Sequence, residues 1–126
     1  MKSSGVLSDA FLGDARECEV SFAGGSVKCR VARKFSARLR GMLGVRPGAW
    51  GCEGLLLVPC GSVHTFGMAF PIDVAFFDRN GAVRGAERGV PPGRFASSRL
   101  SCAVMEREAS AGAWPEVGDT VRITAT

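Results

Sequence analysis

Pro71 to Glu87 reads PIDVAFFDRNGAVRGAE, and this stretch decides the fold. Its first half, Ile72-Asp73-Val74-Ala75-Phe76-Phe77, is a continuous apolar run broken by one carboxylate. Short apolar runs rich in β-branched and aromatic residues, entered through Pro, form buried strands. The run ends at Asp78-Arg79-Asn80-Gly81, and Asn-Gly supplies the two positive-φ positions of the turn whose twist matches a hairpin. Ala82 to Glu87 is then the returning strand.

The chain on either side has the same grammar. Cys18, Val20 and Phe22 alternate with polar residues, Gly24-Gly25 breaks the run, and Val27, Cys29 and Val31 alternate again, which predicts a second hairpin. Gly54 to Pro59 (GLLLVP) is another short apolar strand ended by Pro. Residues 88–99 hold Gly89, Pro91, Pro92 and Gly93 and predict a basic loop. Ser101 to Glu106 (SCAVME) and Thr120 to Thr126 (TVRITAT) are further strands, the second entered through Gly118-Asp119. One segment differs. Val31, Phe35, Leu39 and Leu43 recur every fourth residue beside Met42, an apolar stripe of a short amphipathic helix stopped by Gly44, Pro47 and Gly48. The expected fold is mostly β (α+β): a small barrel-like or sandwich-like sheet of about seven short strands with that helix packed on it. Residues 1–15 are expected to form a loose tail and residues 16–126 a single domain.

Composition narrows the function classes. A chain of 126 residues has room for one core, and 17 glycines favour a turn-rich β fold. No apolar run approaches the roughly 18 residues of a membrane span, and Ser8, Asp9 and Asp14 interrupt any signal-peptide core. The five cysteines, at positions 18, 29, 52, 60 and 102, form no dense framework and suit a reducing compartment, so a cytoplasmic protein is expected. Neither a Walker-type Gly-Lys-Ser/Thr nor a Gly-x-Gly-x-x-Gly after a strand occurs, and no cofactor is expected. Net charge is +4, and Lys28 to Arg46 carries seven basic residues and no acid. That block could meet phosphate, but it lacks the aromatic interleaving of single-strand binders, so nucleic acid is not the expected partner.

The candidate site lies in CGSVHTFGMAFPIDVAFFD, Cys60 to Asp78, which holds the one histidine, His64. Four readings of His64 compete: a metal ligand with Cys60 and Cys52, a partner of a cysteine nucleophile, a ligand-binding group, or a histidine satisfied by local backbone. In the third, His64, Thr65 and Asp73 offer polar groups among walls of Phe66, Met68 and Phe70. Asp73 lies in a strand without polar alternation, so burial threatens it on either face and it needs a cation or several N–H donors. Arg38 and Arg40, on the helix, are the expected partners; a solvent-facing position at the strand start is the alternative.

Arg38-x-Arg40-Gly41-Met42-Leu43, Gly54-Leu55-Leu56, His64-Thr65-Phe66-Gly67-Met68-x-Phe70-Pro71-Ile72-Asp73, Val104-Met105-Glu106 and Gly118-Asp119 together resemble the domain of unknown function family 192. The resemblance covers about residues 18 to 124. It implies a compact, mainly β fold with a short helix carrying the Arg-x-Arg-Gly segment, and no activity. It singles out Arg38, Gly41, Thr65, Met68, Asp73 and Glu106. The chain departs from the pattern at Gly67-Met68-Ala69-Phe70, where many relatives are more polar, and at Lys34, where a capping Thr is usual. The expected function is a non-enzymatic binding or accessory module. Its cleft beside residues 64–73 would take a small molecule or an extended peptide through Arg38, Arg40, His64, Thr65, Phe66, Met68, Asp73 and Glu106. The alternatives are a hydrolase-like enzyme with Asp73 and His64 as acid–base partners, and weak nucleic-acid binding through the 28–46 block.

Overall fold

The computed structural model describes residues 15–33 and 51–126. Among them nine strands follow in order: β1 (Glu17–Phe22), β2 (Gly25–Ala32), β3 (Gly54–Leu57), β4 (Ser62–His64), β5 (Ile72–Phe77), β6 (Val83–Val90), β7 (Phe95–Ser97), β8 (Ala103–Glu108) and β9 (Arg122–Ala125). Seven form one sheet in the order β6-β5-β8-β3-β2-β1-β9, and β4 pairs with β7 in a second, two-stranded sheet. The β2–β3 pair is parallel; the other pairs are antiparallel.

Both expected hairpins are present. Phe22 pairs with Gly25 across the first, leaving Ala23-Gly24 as its turn. The second turns at Asp78–Gly81, where the N–H groups of Asn80 and Ala82 donate to Asp78 Oδ1 at 2.8 and 3.0 Å and Arg84 Nε donates to Oδ2 at 2.9 Å. Gly81 has a further role. Its φ is 86°, and a Cβ there would lie 2.7 Å from the Val121 carbonyl oxygen. That close approach lets the sheet curl: Ala82 bridges Thr120, Val83 N–H donates to Asp119, and Val121 N–H donates to Gly81. The start of β6, at one end of the strand order, thus meets the approach to β9 at the other, and the seven strands form a half-barrel.

Alternation sorts the apolar side chains onto two faces. Cys18, Val20, Val27, Cys29, Leu56, Ala75, Phe77, Ala103, Met105, Trp114 and Ile123 form the cluster inside the curl. Leu55, Leu57, Ile72, Val74, Phe76 and Val104 project to the other face, where Val63, Met68, Phe70 and Ala96 cover them from the small sheet and its flanks. This is why β3, β5 and β8 lack polar alternation: they are buried on both faces. Gly54 fits where β3 and β8 come closest, since a Cβ there would lie 2.8 Å from the Glu106 carbonyl oxygen. The edge strand β6 instead carries Arg84, Glu87 and Arg88 outward, charges that discourage pairing with another chain.

The mostly β reading holds, with changes of extent. The returning strand runs to Val90 rather than Glu87, and β7 lies within the segment read as a loop. No helix occurs among the described residues, so none of them forms a helix able to cross a membrane. Of the expected helix stripe, Val31 belongs to β2 instead, paired with Leu56, and Phe35, Leu39 and Leu43 lie outside the described residues, as do Arg38, Arg40, Gly41 and all but the last residue of the expected tail, residues 1–15.

Candidate functional site

The motif from His64 to Asp73 does not converge on one cleft; its side chains divide between the two faces of the large sheet. Asp73 is 1% exposed and lies on β5 directly opposite Arg107 of β8. The neighbours of Asp73 on its own face are Ala75 and Phe77, within the curl. Arg107 Nε donates to Asp73 Oδ2 at 2.8 Å, Ser110 N–H donates to the same oxygen at 3.3 Å, and Gly89 N–H donates to Oδ1 at 2.9 Å. Burial of the carboxylate and pairing with an arginine are therefore as expected, but the partner differs. Arg107 takes the place assigned to Arg38 or Arg40, because the β5–β8 register sets its side chain beside Asp73 on one face.

Arg107 is itself fully engaged. Its guanidinium donates to the carbonyls of Gly112 at 2.8 Å and Ala113 at 3.1 Å and lies over the Trp114 ring, 4.5 Å from the centroid. Trp114 in turn donates its indole N–H to the Val74 carbonyl at 3.1 Å. A cation, a carboxylate and an indole thus close one end of the inner cluster with their polar atoms matched, the condition under which buried charge is tolerated.

Thr65 is equally committed to the architecture. Its hydroxyl donates to the Pro91 carbonyl at 2.7 Å and accepts from Arg94 N–H at 2.8 Å, while its backbone N–H and carbonyl bond Arg94 and Gly93. These bonds tie the end of β4 to the loop before β7. Met68 is buried among Phe70, Ile72 and their neighbours. It is a core residue.

His64 and Phe66, by contrast, face outward. They stack with ring centroids 5.4 Å apart and planes 29° from parallel, and Phe66 is 56% exposed. Directly opposite His64 in the β4–β7 pairing stands Phe95, 66% exposed. Ser62 and Ser97 pair beside them, so the small sheet presents three rings and two hydroxyls on one outer face, with Val63 and Ala96 turned into the core. Arg94, next to Phe95 in sequence, and Arg99, two residues beyond β7, are exposed and without an ion pair among the described residues. Phe95 escaped sequence reasoning because its strand is three residues long, too short for periodicity to register.

Glu106 is the second buried carboxylate of the motif. It is 4% exposed and lies between Leu55 of β3 and Val74 of β5, both on the face opposite Asp73. Its carboxyl has no hydrogen-bond partner among the described residues, and burial pushes its pKa up from 4.5 to about 7. Asp73 and Glu106 therefore occupy neighbouring register positions but opposite faces.

The alternatives for His64 fare unequally. His64 and Asp73 are not brought together, so this geometry supplies no acid–base pair. Among the described residues no three His, Cys, Asp or Glu side chains converge as metal ligands. Cys60 donates its S–H to the Ser62 carbonyl at 3.1 Å, and the Cys52 thiol is pushed up by burial and then by Glu17, against thiolate formation. In the described part of the basic block, Lys28 pairs with Glu17 at 3.6 Å, and Nε and one Nη of Arg33 are shielded from solvent. These residues do not form one open cationic strip.

Comparison with known proteins agrees with this architecture. No curated protein matches the chain. Among solved structures, it is similar to a protein of unknown function from Novosphingobium aromaticivorans, with 16% identity, a TM-score of 0.66, and 85% of this chain and 82% of that one covered. It is also similar to a "putative transcription regulator" from Sinorhizobium meliloti, with 20% identity, a TM-score of 0.65, and 86% and 92% covered. At these identities the likeness establishes the fold alone. The sequence model of family DUF192, described as Uncharacterized ACR, matches residues 19–123, from β1 into β9. The chain belongs to the DUF192 family.

Proposed function

We propose that the protein is a non-catalytic binding module whose working surface is the outer face of the β4–β7 sheet, and that its ligand is an extended acidic peptide with aromatic side chains. The carrying observation is that His64, Phe66 and Phe95 stand together in solvent, while Thr65 and Asp73 of the same motif are engaged inside the fold. Exposed aromatic side chains and arginines are the residue types that dominate binding energies at interfaces. Arg94, Arg99 and a net charge of +4 favour a partner with carboxylates. The hydroxyls of Ser62 and Ser97 offer lateral hydrogen bonds to a bound backbone. Five cysteines with no dense framework suit a reducing, cytoplasmic setting.

The test uses a fluorescein-labelled heptapeptide of tryptophans and aspartates, the same peptide with lysine in place of aspartate, and an oligouridylate. The acidic peptide should bind saturably. The double variant Phe66→Ser/Phe95→Ser should lose about tenfold or more in affinity while melting like the parent, as expected when a hot spot of about 1.4 kcal/mol is removed. Equal binding of the lysine peptide, tighter binding of the oligouridylate, or affinity unchanged in the ring variant would each overturn the reading.

A further inference from the structure

A second site lies on the other side of the large sheet, at the Trp114 end of the inner cluster, and depends on none of the reading above. A cavity of about 310 Å³ opens where the β1–β2 turn, the end of β6 and the segment before β9 meet; its lining includes Gly24, Arg88, Ala113, Trp114, Glu116 and Asp119. That volume is at the lower end for small-molecule sites, enough for a metabolite of amino-acid size. Its charges are of both signs and come from different elements: a guanidinium from β6, and two carboxylates from the segment that holds the Gly118-Asp119 motif.

Two of the three charges, Arg88 and Asp119, are held from behind. One Nη of Arg88 donates to the carbonyls of Ser110 at 2.8 Å and Gly112 at 2.6 Å, and its other N–H groups have no acceptor among the described residues. A guanidinium fixed by one nitrogen still offers a fork of donors that suits a carboxylate. Opposite in charge, Asp119 receives Glu116 N–H on Oδ2 at 3.0 Å and donates its own N–H to the Glu116 carbonyl at 2.9 Å. This turn leaves Asp119 Oδ1 and both Glu116 carboxylate oxygens without a partner among the described residues. Trp114 supplies an apolar wall held by its bond to Val74 and by Arg107. Its indole N–H is engaged there, so the polar recognition falls to the charged residues. Gly24 lines the mouth without a side chain: a Cβ there would have ordinary contact with Ala113 Cβ at 3.6 Å and the Phe22 ring at 3.8 Å, so a leucine there would crowd this end of the site.

We infer that this cavity binds a small zwitterion of the free α-amino acid class, its carboxylate on Arg88, its ammonium against Glu116 and Asp119, and its side chain toward Trp114 and Ala113. Neither an inorganic anion nor a simple cation would use both halves of the site. Both charges of the ligand are needed, which gives the proposal a chemical test.

Calorimetric titration of the full chain with free L-leucine, L-glutamate and L-lysine should give saturable one-to-one binding for at least one of them. The N-acetyl derivative and the methyl ester of that amino acid each remove one charge and should bind at least about tenfold more weakly. Arg88→Gln, Glu116→Gln and Gly24→Leu should each reproduce that loss. Should Arg88→Gln disturb folding through Ser110 and Gly112, Glu116→Gln, whose side chain bonds nothing in the fold, decides the matter. No saturation by any of the three amino acids, or equal binding of the blocked derivatives, would overturn the proposal. So would Glu116→Gln and Gly24→Leu binding as the parent does. Loss of peptide binding at the ring face leaves these outcomes untouched, since Phe66 and Phe95 take no part in the cavity.

Discussion

Asp73 and Glu106 are both buried carboxylates, on strands that are hydrogen-bonded neighbours, yet their surroundings are opposite. Asp73 faces the inside of the curl and receives Arg107 and two backbone N–H groups. Glu106 faces the other side, between Leu55 and Val74, and among the described residues receives none. A single register step separates the two fates, because side chains alternate strictly between faces. Buried charge is thus a structural asset where the facing strand and loops bring donors to it, and a cost where they bring only aliphatic groups.

Asp73→Ala breaks the favourable half of this comparison and should have the largest effect. It leaves Arg107 buried without its carboxylate, which costs on the order of 3–5 kcal/mol, read as a fall in the urea midpoint at constant slope. A variant that unfolds like the parent would show Asp73 to be solvated.

Glu106→Gln sharpens the other half. Burial pushes Glu106 up to about 7 from 4.5, so the folded state holds the proton more tightly than the unfolded chain does. The stability this contributes is fully present below about pH 4.5 and is lost as pH rises through about 7. By pH 8 the ionised carboxylate weighs against folding by roughly 3 kcal/mol, the free energy of that shift. Glu106→Gln should therefore gain on the parent between pH 5 and pH 8 in paired urea titrations. A stability difference independent of pH would mean that the carboxylate is well solvated or matched by a cation.

A third, smaller effect concerns Asp78. Burial raises its pKa, but the N–H groups of Asn80 and Ala82 and the Arg84 guanidinium outweigh burial and leave it below 3.8. Its contribution is present above that ordinary value and lost as pH falls through the depressed one. Asp78→Ala should cost about 1–2 kcal/mol at neutral pH, with the gap closing in acid. A gap that persists in acid would assign the loss to packing instead. The smallest effect belongs to the outer rings. Phe66→Ser and Phe95→Ser should each change stability by less than about 0.5 kcal/mol, measured by thermal melting, because the rings are in solvent already. A loss of several kcal/mol would make them core residues and remove the basis for a binding face.

The turns were the most legible part of the chain. Gly24-Gly25 and Asn80-Gly81 act within a few residues, so local conformational preference alone places both hairpins. The need of Asp73 for an arginine was legible too, since a carboxylate in an apolar strand has few physical options. Which arginine was not. Arg107 lies 34 residues away in sequence, and its nearness depends on β8 inserting between β5 and β3, a pairing no local pattern specifies. The apolar start of β8 had suggested a strand ending at Glu106, one residue short of the partner. Thr65 was singled out as a ligand contact, but its hydroxyl is bonded to Pro91 and Arg94, in a loop whose path no pattern in the sequence specifies. His64 and Phe66 were legible as candidates; Phe95, which completes their surface, was hidden in a strand of three residues.

The central claim is that Asp73 serves the architecture through Arg107 and is not available to a ligand or a reaction. A double-mutant cycle measures this directly: urea unfolding of the parent, Asp73→Ala, Arg107→Ala and the double variant under one set of conditions. Two side chains that satisfy one another should give single losses that overshoot the double loss, with a coupling of about 2–3 kcal/mol. Losses that add to within about 0.5 kcal/mol would show the two residues to be independent and contradict the account.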